Sequence, residues 1–305
     1  MSALDLGESP FPGSPVVPAM HDGDKVITFR CYKGIACFNA CCQSIDITLT
    51  PYDILRLSRR LGLSTTDFLR DHTVPFEMEK DGIAGVKFRP RENSTTCQFV
   101  TDEGCQIYED RPTACRYYPV ALLALRRQDE YQDRQAYALV KEPHCRGHEE
   151  RRELTIDSFR AEQGVVVYDD LNREWNQMIL KKKSLGPTVG TPSLKSRQLF
   201  FMVSYDLDTF RRFVLSDNFQ GNYVLDEGLT QALTTDDIAL MRFGFRFLRQ
   251  VLFGEQSIPE QSGAWEKRVA QRQSLWEAQR QAEMAKLRES TAAQMREADG
   301  GDPGT

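Results

Sequence analysis

The chain has 305 residues, 39 basic against 44 acidic, a net charge of −5 and eight cysteines. That balance gives no general attraction to nucleic acid or anionic membrane, no run approaches the ~18 apolar residues of a membrane span, and the acidic, proline-containing start lacks the basic and apolar regions of a secretory leader. The expectation is a cytoplasmic protein of about two domains, with 40% apolar residues from which to build its core.

Residues 1–24, with four prolines and no periodicity, are expected to be a disordered arm. The run Val26–Phe29 between Lys25 and Arg30 predicts a short strand that delivers Cys31. A helix start follows, with Thr50 as cap, Pro51 in the first turn, Asp53 at the third position and Leu49 placed to staple onto Ile54; Gly62 ends that helix. Ser64 and Asp67 cap a second, short helix over 65–72. Strand character over 83–89, a hairpin from Cys97 to Cys105 turning at Thr101–Gly104, and a second hairpin from the runs 120–126 and 135–141 complete a cysteine domain over 25–150. Residues 155–183 read as one helix with a weak point at Gly164, and the Gly/Pro-rich 184–192 as a linker, so that 151–192 connects two units. A helical unit over 193–258 follows, its last helix capped by Thr234 with Asp237 and presenting Ile238, Met241, Phe245, Leu248 and Leu252 at helical spacing. Residues 259–305 read as a long polar helix with a frayed tail. The expected class is therefore α+β: a small cysteine-rich metal-binding domain, then a helical unit and a polar helix.

All eight cysteines lie between Cys31 and Cys145. In a reducing compartment such density points to metal binding before disulfides. Thiolates suit soft or borderline metals, three or four of them holding zinc tetrahedrally or carrying an iron–sulfur cluster. Cys37, Cys41 and Cys42 are local to one another, whereas Cys97, Cys105, Cys115 and Cys145 must be supplied by the fold. The neighbours Cys41 and Cys42 would point to opposite faces of an extended chain, so either a turn aims both inward or they serve different sites. The spacings match neither paired CxxC zinc knuckles nor the ferredoxin run. A redox-sensing disulfide and simple packing of one or two thiols, Cys31 foremost, are the competing readings.

The order Cys97-x7-Cys105-x-Ile-Tyr-Glu-x-Arg-Pro-x2-Cys115-Arg-x2-Pro119, followed by Cys145-x-Gly147, resembles the YkgJ-type cysteine-cluster family, a zinc- or iron-chelating domain also written CxxCxxCC. The first cluster departs from that signature, with Cys37-x3-Cys41-Cys42 preceded by Cys31. The resemblance covers 31 to about 150 and implies a metal or iron–sulfur centre, with some members described as protein methylases or oxidoreductases. The ligand set expected is Cys37, Cys41, Cys42, Cys97, Cys105, Cys115 and Cys145, holding an iron–sulfur cluster or iron, with zinc as the alternative. No glycine-rich nucleotide loop, CxxxCxxC, HExxH or GxSxG motif accompanies it. Catalytic and substrate-binding residues are unassigned; the expected centre serves redox or protein-modification chemistry, and the alternative is a zinc-stabilised structural or interaction module without catalysis, whose C-terminal helix docks a partner.

Arg111 is expected to pair with Glu109 or Asp110, and Arg116 to offset thiolate charge. His72 would complement a helix dipole and His144 and His148 would lie at the surface, while Tyr108, Tyr117, Tyr118 and Phe99 would keep water from the metal.

Overall fold

The computed structural model describes residues 4–5, 19–78, 83–125, 134–184 and 193–270, with positions 273, 280, 281 and 284 beyond them. The predicted linker, most of the N-terminal arm and most of the polar helix lie outside the described residues.

Helices and antiparallel strand pairs make an α+β chain. The strands are β1 (Leu4–Asp5), β2 (Ala19–Met20), β3 (Val26–Thr28), β4 (Thr73–Met78), β5 (Ile83–Phe88), β6 (Val100–Thr101), β7 (Gly104–Cys105), β8 (Val120–Leu125), β9 (Arg134–Leu139) and β10 (Glu153–Thr155). They pair two by two, β1 with β2, β3 with β10, β4 with β5, β6 with β7 and β8 with β9. The helices are α1 (Pro51–Leu61), α2 (Thr65–His72), α3 (Thr113–Tyr117), α4 (Ile156–Glu162), α5 (Val165–Ser184), α6 (Leu194–Tyr205), α7 (Leu207–Val214), α8 (Asp217–Gln220), α9 (Glu227–Thr235) and α10 (Asp237–Phe253). Among the described residues no helix is long and apolar enough to cross a membrane.

Local chemistry explains most boundaries. Thr50 and Asp53 form a reciprocal capping box with Pro51 in the first turn, and Gly62 ends α1 at φ 66°. The single helix expected over 155–183 is instead α4 and α5, broken where Gly164 takes φ 64°. The cap of α10 is Asp236, whose carboxylate accepts from the backbone N–H of Ile238 and Ala239, and not Thr234, which ends within α9. Strand β4 has no sequence signal of its own. It contains Pro75, tolerated because the pair has only edges, and is fixed by its register with β5, Thr73 opposite Phe88.

One apolar core runs from Leu49 and Ile54 through Phe68, Val86 and Phe99 to Phe210, Leu240 and Leu248. A smaller core of Ile27, Phe29, Tyr117, Val120, Tyr137, Ile156, Phe159 and Val165 joins β3 to α4. The residues at 193–258 are helical and aromatic-rich, with Phe200, Phe243 and Phe245 buried. The thiols lie in the segment before α1 and between β5 and β10, Cys105 in β7 and Cys115 in α3.

Candidate metal centre

After β3 the chain descends through successive turns. Ile35 N–H donates to Tyr32 O, Phe38 to Ile35 O, Ala40 to Cys37 O at 3.0 Å and Cys42 to Asn39 O at 3.0 Å. Asn39 enters the single 3-10 turn Ala40–Cys42 in the left-handed region (φ 66°), and its amide nitrogen reaches Thr101 O at 2.8 Å. The turn settles the geometry of the vicinal pair, because the Cys41 and Cys42 sulfurs stand 4.0 Å apart instead of facing opposite ways.

The second cluster is stitched to the first through backbone. Cys97 N–H donates to Cys42 O at 2.8 Å, and Ile45 N–H to Thr95 O at 3.0 Å. The β6–β7 hairpin sets Cys105 opposite Val100. Cys115 sits in α3, whose first turn is held by a residue far upstream: the buried Asp53 accepts from Thr113 N–H (2.8 Å) and Thr113 Oγ1 (2.7 Å) with one oxygen and from Thr50 N–H (2.9 Å) with the other. Asp53 thus caps α1 and α3 together. Its role at α1 is readable in the sequence; its role at α3 has no local signal.

Cys145 arrives on a turn closed by its own N–H to Glu142 O at 3.0 Å. Arg146 N–H then donates to Cys37 Sγ at 3.2 Å, and Arg30 N–H to Gly147 O at 3.1 Å. Gly147 is required there, since a Cβ would lie 2.4 Å from the Phe29 ring.

All eight cysteines are free thiols. Burial pushes the Cys97, Cys105 and Cys115 thiols above the ordinary range, with neighbouring sulfurs adding to the effect. Within the vicinal pair, the hydrogen bond from its neighbour favours the Cys41 thiolate and holds the Cys42 proton in place. Among the described residues no three Cys, His, Asp or Glu side chains already close on one point as a finished coordination shell. The donor chemistry nonetheless fits a thiophilic metal: every candidate is sulfur, and the 4.0 Å separation of Cys41 and Cys42 is close to the edge of about 3.8 Å implied by ~2.3 Å bonds in a tetrahedron.

Residues 30–177 match the model of the CxxCxxCC family, described as "Putative zinc- or iron-chelating domain". This segment belongs to that family. No curated protein and no solved structure matches the chain.

The CxxCxxCC match runs past residue 150 into α5, and the packing shows why. Tyr168 on α5 lies edge-on to Tyr52 at 4.9 Å between centroids, Asn172 accepts from Tyr52 N–H at 3.2 Å, and the Arg116 guanidinium stacks over Tyr168 at 4.4 Å. Helix α5 is a wall of the chelating domain.

Several neighbours differ from expectation. Arg116 is nearly buried and commits its donors to Arg111 O (2.9 Å), Gln163 O (2.7 Å), Glu109 O and Tyr168 Oη (3.1 Å), so it clamps the 109–111 loop to the α4–α5 joint. Arg111 stacks on Tyr108 at 4.0 Å and reaches Gln163, while Asp110 is taken by Arg56 at 2.9 Å. Tyr108 is 57% exposed and shields nothing; Phe99 and Tyr117 are buried. His148 Nε2 bonds Val140 O at 3.1 Å and His144 faces Glu142 at 3.4 Å. His72 bonds Gln98 Oε1 through Nδ1 at 2.6 Å.

Proposed function

We propose that the CxxCxxCC domain holds iron, as an iron–sulfur centre, through Cys37, Cys41, Cys42, Cys97, Cys105, Cys115 and Cys145, and that the centre serves redox or protein-modification chemistry in the cytoplasm. The observation that carries this reading is the number of sulfurs in one neighbourhood. The Cys41 and Cys42 sulfurs stand 4.0 Å apart, Cys97 N–H donates to Cys42 O at 2.8 Å, and Arg146 N–H, next to Cys145, donates to Cys37 Sγ at 3.2 Å, so five sulfurs lie on directly bonded segments, one more than a single tetrahedral zinc takes. A bound iron–sulfur group would supply electron transfer. The chain's own part is to bring four separate segments together, to keep Cys97 and Phe99 dry, and to hold Cys115 through Asp53 and Thr113.

The second reading is a zinc-stabilised interaction module without catalysis, and the 4.0 Å Cys41–Cys42 pair favours it because two sulfurs at that spacing can share one ion. Anaerobic purification with metal and sulfide analysis and a visible spectrum separates the two. A brown protein containing iron and acid-labile sulfide is expected, and a colourless protein with stoichiometric zinc and no sulfide would overturn the iron reading.

A further inference from the structure

Cys115 is carried by α3, a helix of five residues preceded by Pro112 and without a side-chain cap at that position. So short a helix does not hold its shape alone, and Asp53 secures its first turn from outside. Its other end is held by two consecutive residues of α3 on two consecutive residues of α5. The Arg116 guanidinium donates to Tyr168 Oη at 3.1 Å and stacks over that ring at 4.4 Å, and the Tyr117 hydroxyl donates to Asp169 Oδ2 at 2.6 Å. Tyr117 is 4% exposed and Asp169 6%.

The Asp169 carboxylate is compensated where it stands. Arg160 of α4 donates to the same Oδ2 at 2.8 Å, and its other amino group holds Asp157 at 2.9 Å. A buried ion pair gains little stability, because desolvation of the two charges offsets their attraction and apolar residues of the same volume serve as well or better. Stability alone therefore does not account for a charge at position 169. What the charge does is geometric: one oxygen accepts from both Tyr117 and Arg160, and so ties α3, α4 and α5 at a single atom.

We propose that Asp169, acting through Tyr117, is a positioning residue of the thiol centre: it fixes α3 along and about its axis, so that Cys115 is held in place before metal arrives and bound metal leaves slowly. Tyr117, expected as an apolar shield, then acts through its hydroxyl. This rests on the reading of Cys115 as a ligand but not on the identity of the metal.

The test follows the rate at which an excess of chelator strips metal from the full-length protein purified anaerobically, or loaded with Co²⁺ where it carries none. Tyr117→Phe keeps the buried ring and removes only the hydroxyl, and it should speed release by about tenfold, the lower end of what partners behind metal ligands contribute. Asp169→Ala should do the same, and Asp169→Asn, which keeps an oxygen for Tyr117, should recover part of the wild-type rate. Tyr205→Phe is the control: Tyr205 is also buried, its hydroxyl donates to Ala84 O at 3.2 Å in the larger core, and its loss should leave release at the wild-type rate. Wild-type release from Tyr117→Phe would overturn the proposal, as would equal acceleration in Tyr205→Phe, which would make the effect one of general stability. Cys115→Ser separates the two readings. If it holds metal as the wild type does, the ligand reading fails and the positioning role with it; if it loses metal while Tyr117→Phe and Asp169→Ala release at the wild-type rate, only the positioning role fails. A wild type that takes up neither metal would overturn both.

Discussion

Around Phe210 the rings of Phe213, Phe243 and Phe247 lie within 6.5 Å centroid to centroid, and Phe219 closes the group against Phe213 and Phe247 at 5.3 and 5.2 Å. Around Cys41 such aromatic packing is absent among the described residues: the chain from Arg30 to Leu49 holds one 3-10 turn and is joined to Thr95, Cys97, Thr101, Val86, Phe88, Arg146 and Gly147 by hydrogen bonds, with Ile45, Ile47 and Leu49 reaching the main core. The helical region is held by burial of aromatic surface, which needs no ligand. The thiol region is held by caps, turns and backbone bridges, and on the proposed chelating role a bound metal would add to its stability. The two regions share one core, so each can be perturbed while the other reports.

The largest effect should come from Cys115→Ser. A structural thiolate site contributes on the order of 10 kcal/mol in small domains, and its loss should abolish metal binding and strip hydrogen-exchange protection from residues 31–48 and 90–118, while α6–α10 stay protected. Retained metal would remove Cys115 from the ligand set. Phe210→Ala should do the reverse, costing about 3–5 kcal/mol in urea unfolding with metal content at the wild-type level; metal loss from the folded protein would contradict the division.

Asp53 belongs to both regions. Asp53→Ala leaves Thr50 N–H, Thr113 N–H and the Thr113 hydroxyl without their acceptor and should cost about 2–4 kcal/mol while weakening metal binding through Cys115. Burial raises the Asp53 pKa above its ordinary 3.8, so the native state binds this proton more tightly than the unfolded chain does. The stabilisation that protonation brings is complete below the ordinary value and is lost as pH rises through the raised one. The stability of the wild type relative to Asp53→Asn should therefore fall as pH is raised through that window; a rise would contradict the assignment. The smallest effect is at the exposed Lys33–Glu103 pair, 62% and 82% accessible, where Lys33→Ala should change unfolding free energy by less than about 0.5 kcal/mol.

What the sequence made legible is local. Thr50, Pro51 and Asp53 announce α1, Gly62 and Gly164 mark helix breaks, and the Thr101–Gly104 turn gives its hairpin. What it left hidden is decided at long range. β4 exists because β5 pairs with it, Asp53 reaches Thr113 sixty residues away, and Arg116 beside Cys115 is drawn off the thiols by carbonyls at Glu109 and Gln163. The cysteine order signalled a chelating domain. The approach of Cys97 to Cys42 and of Arg146 to Cys37 is a property of the fold, which no spacing rule states.

The most direct measurement is X-ray absorption at the edge of the bound metal in anaerobically purified full-length protein, which counts the atoms bonded to it. A shell of about four sulfurs near 2.3 Å is the expected result, and a shell of oxygen and nitrogen neighbours without sulfur would contradict a thiolate centre.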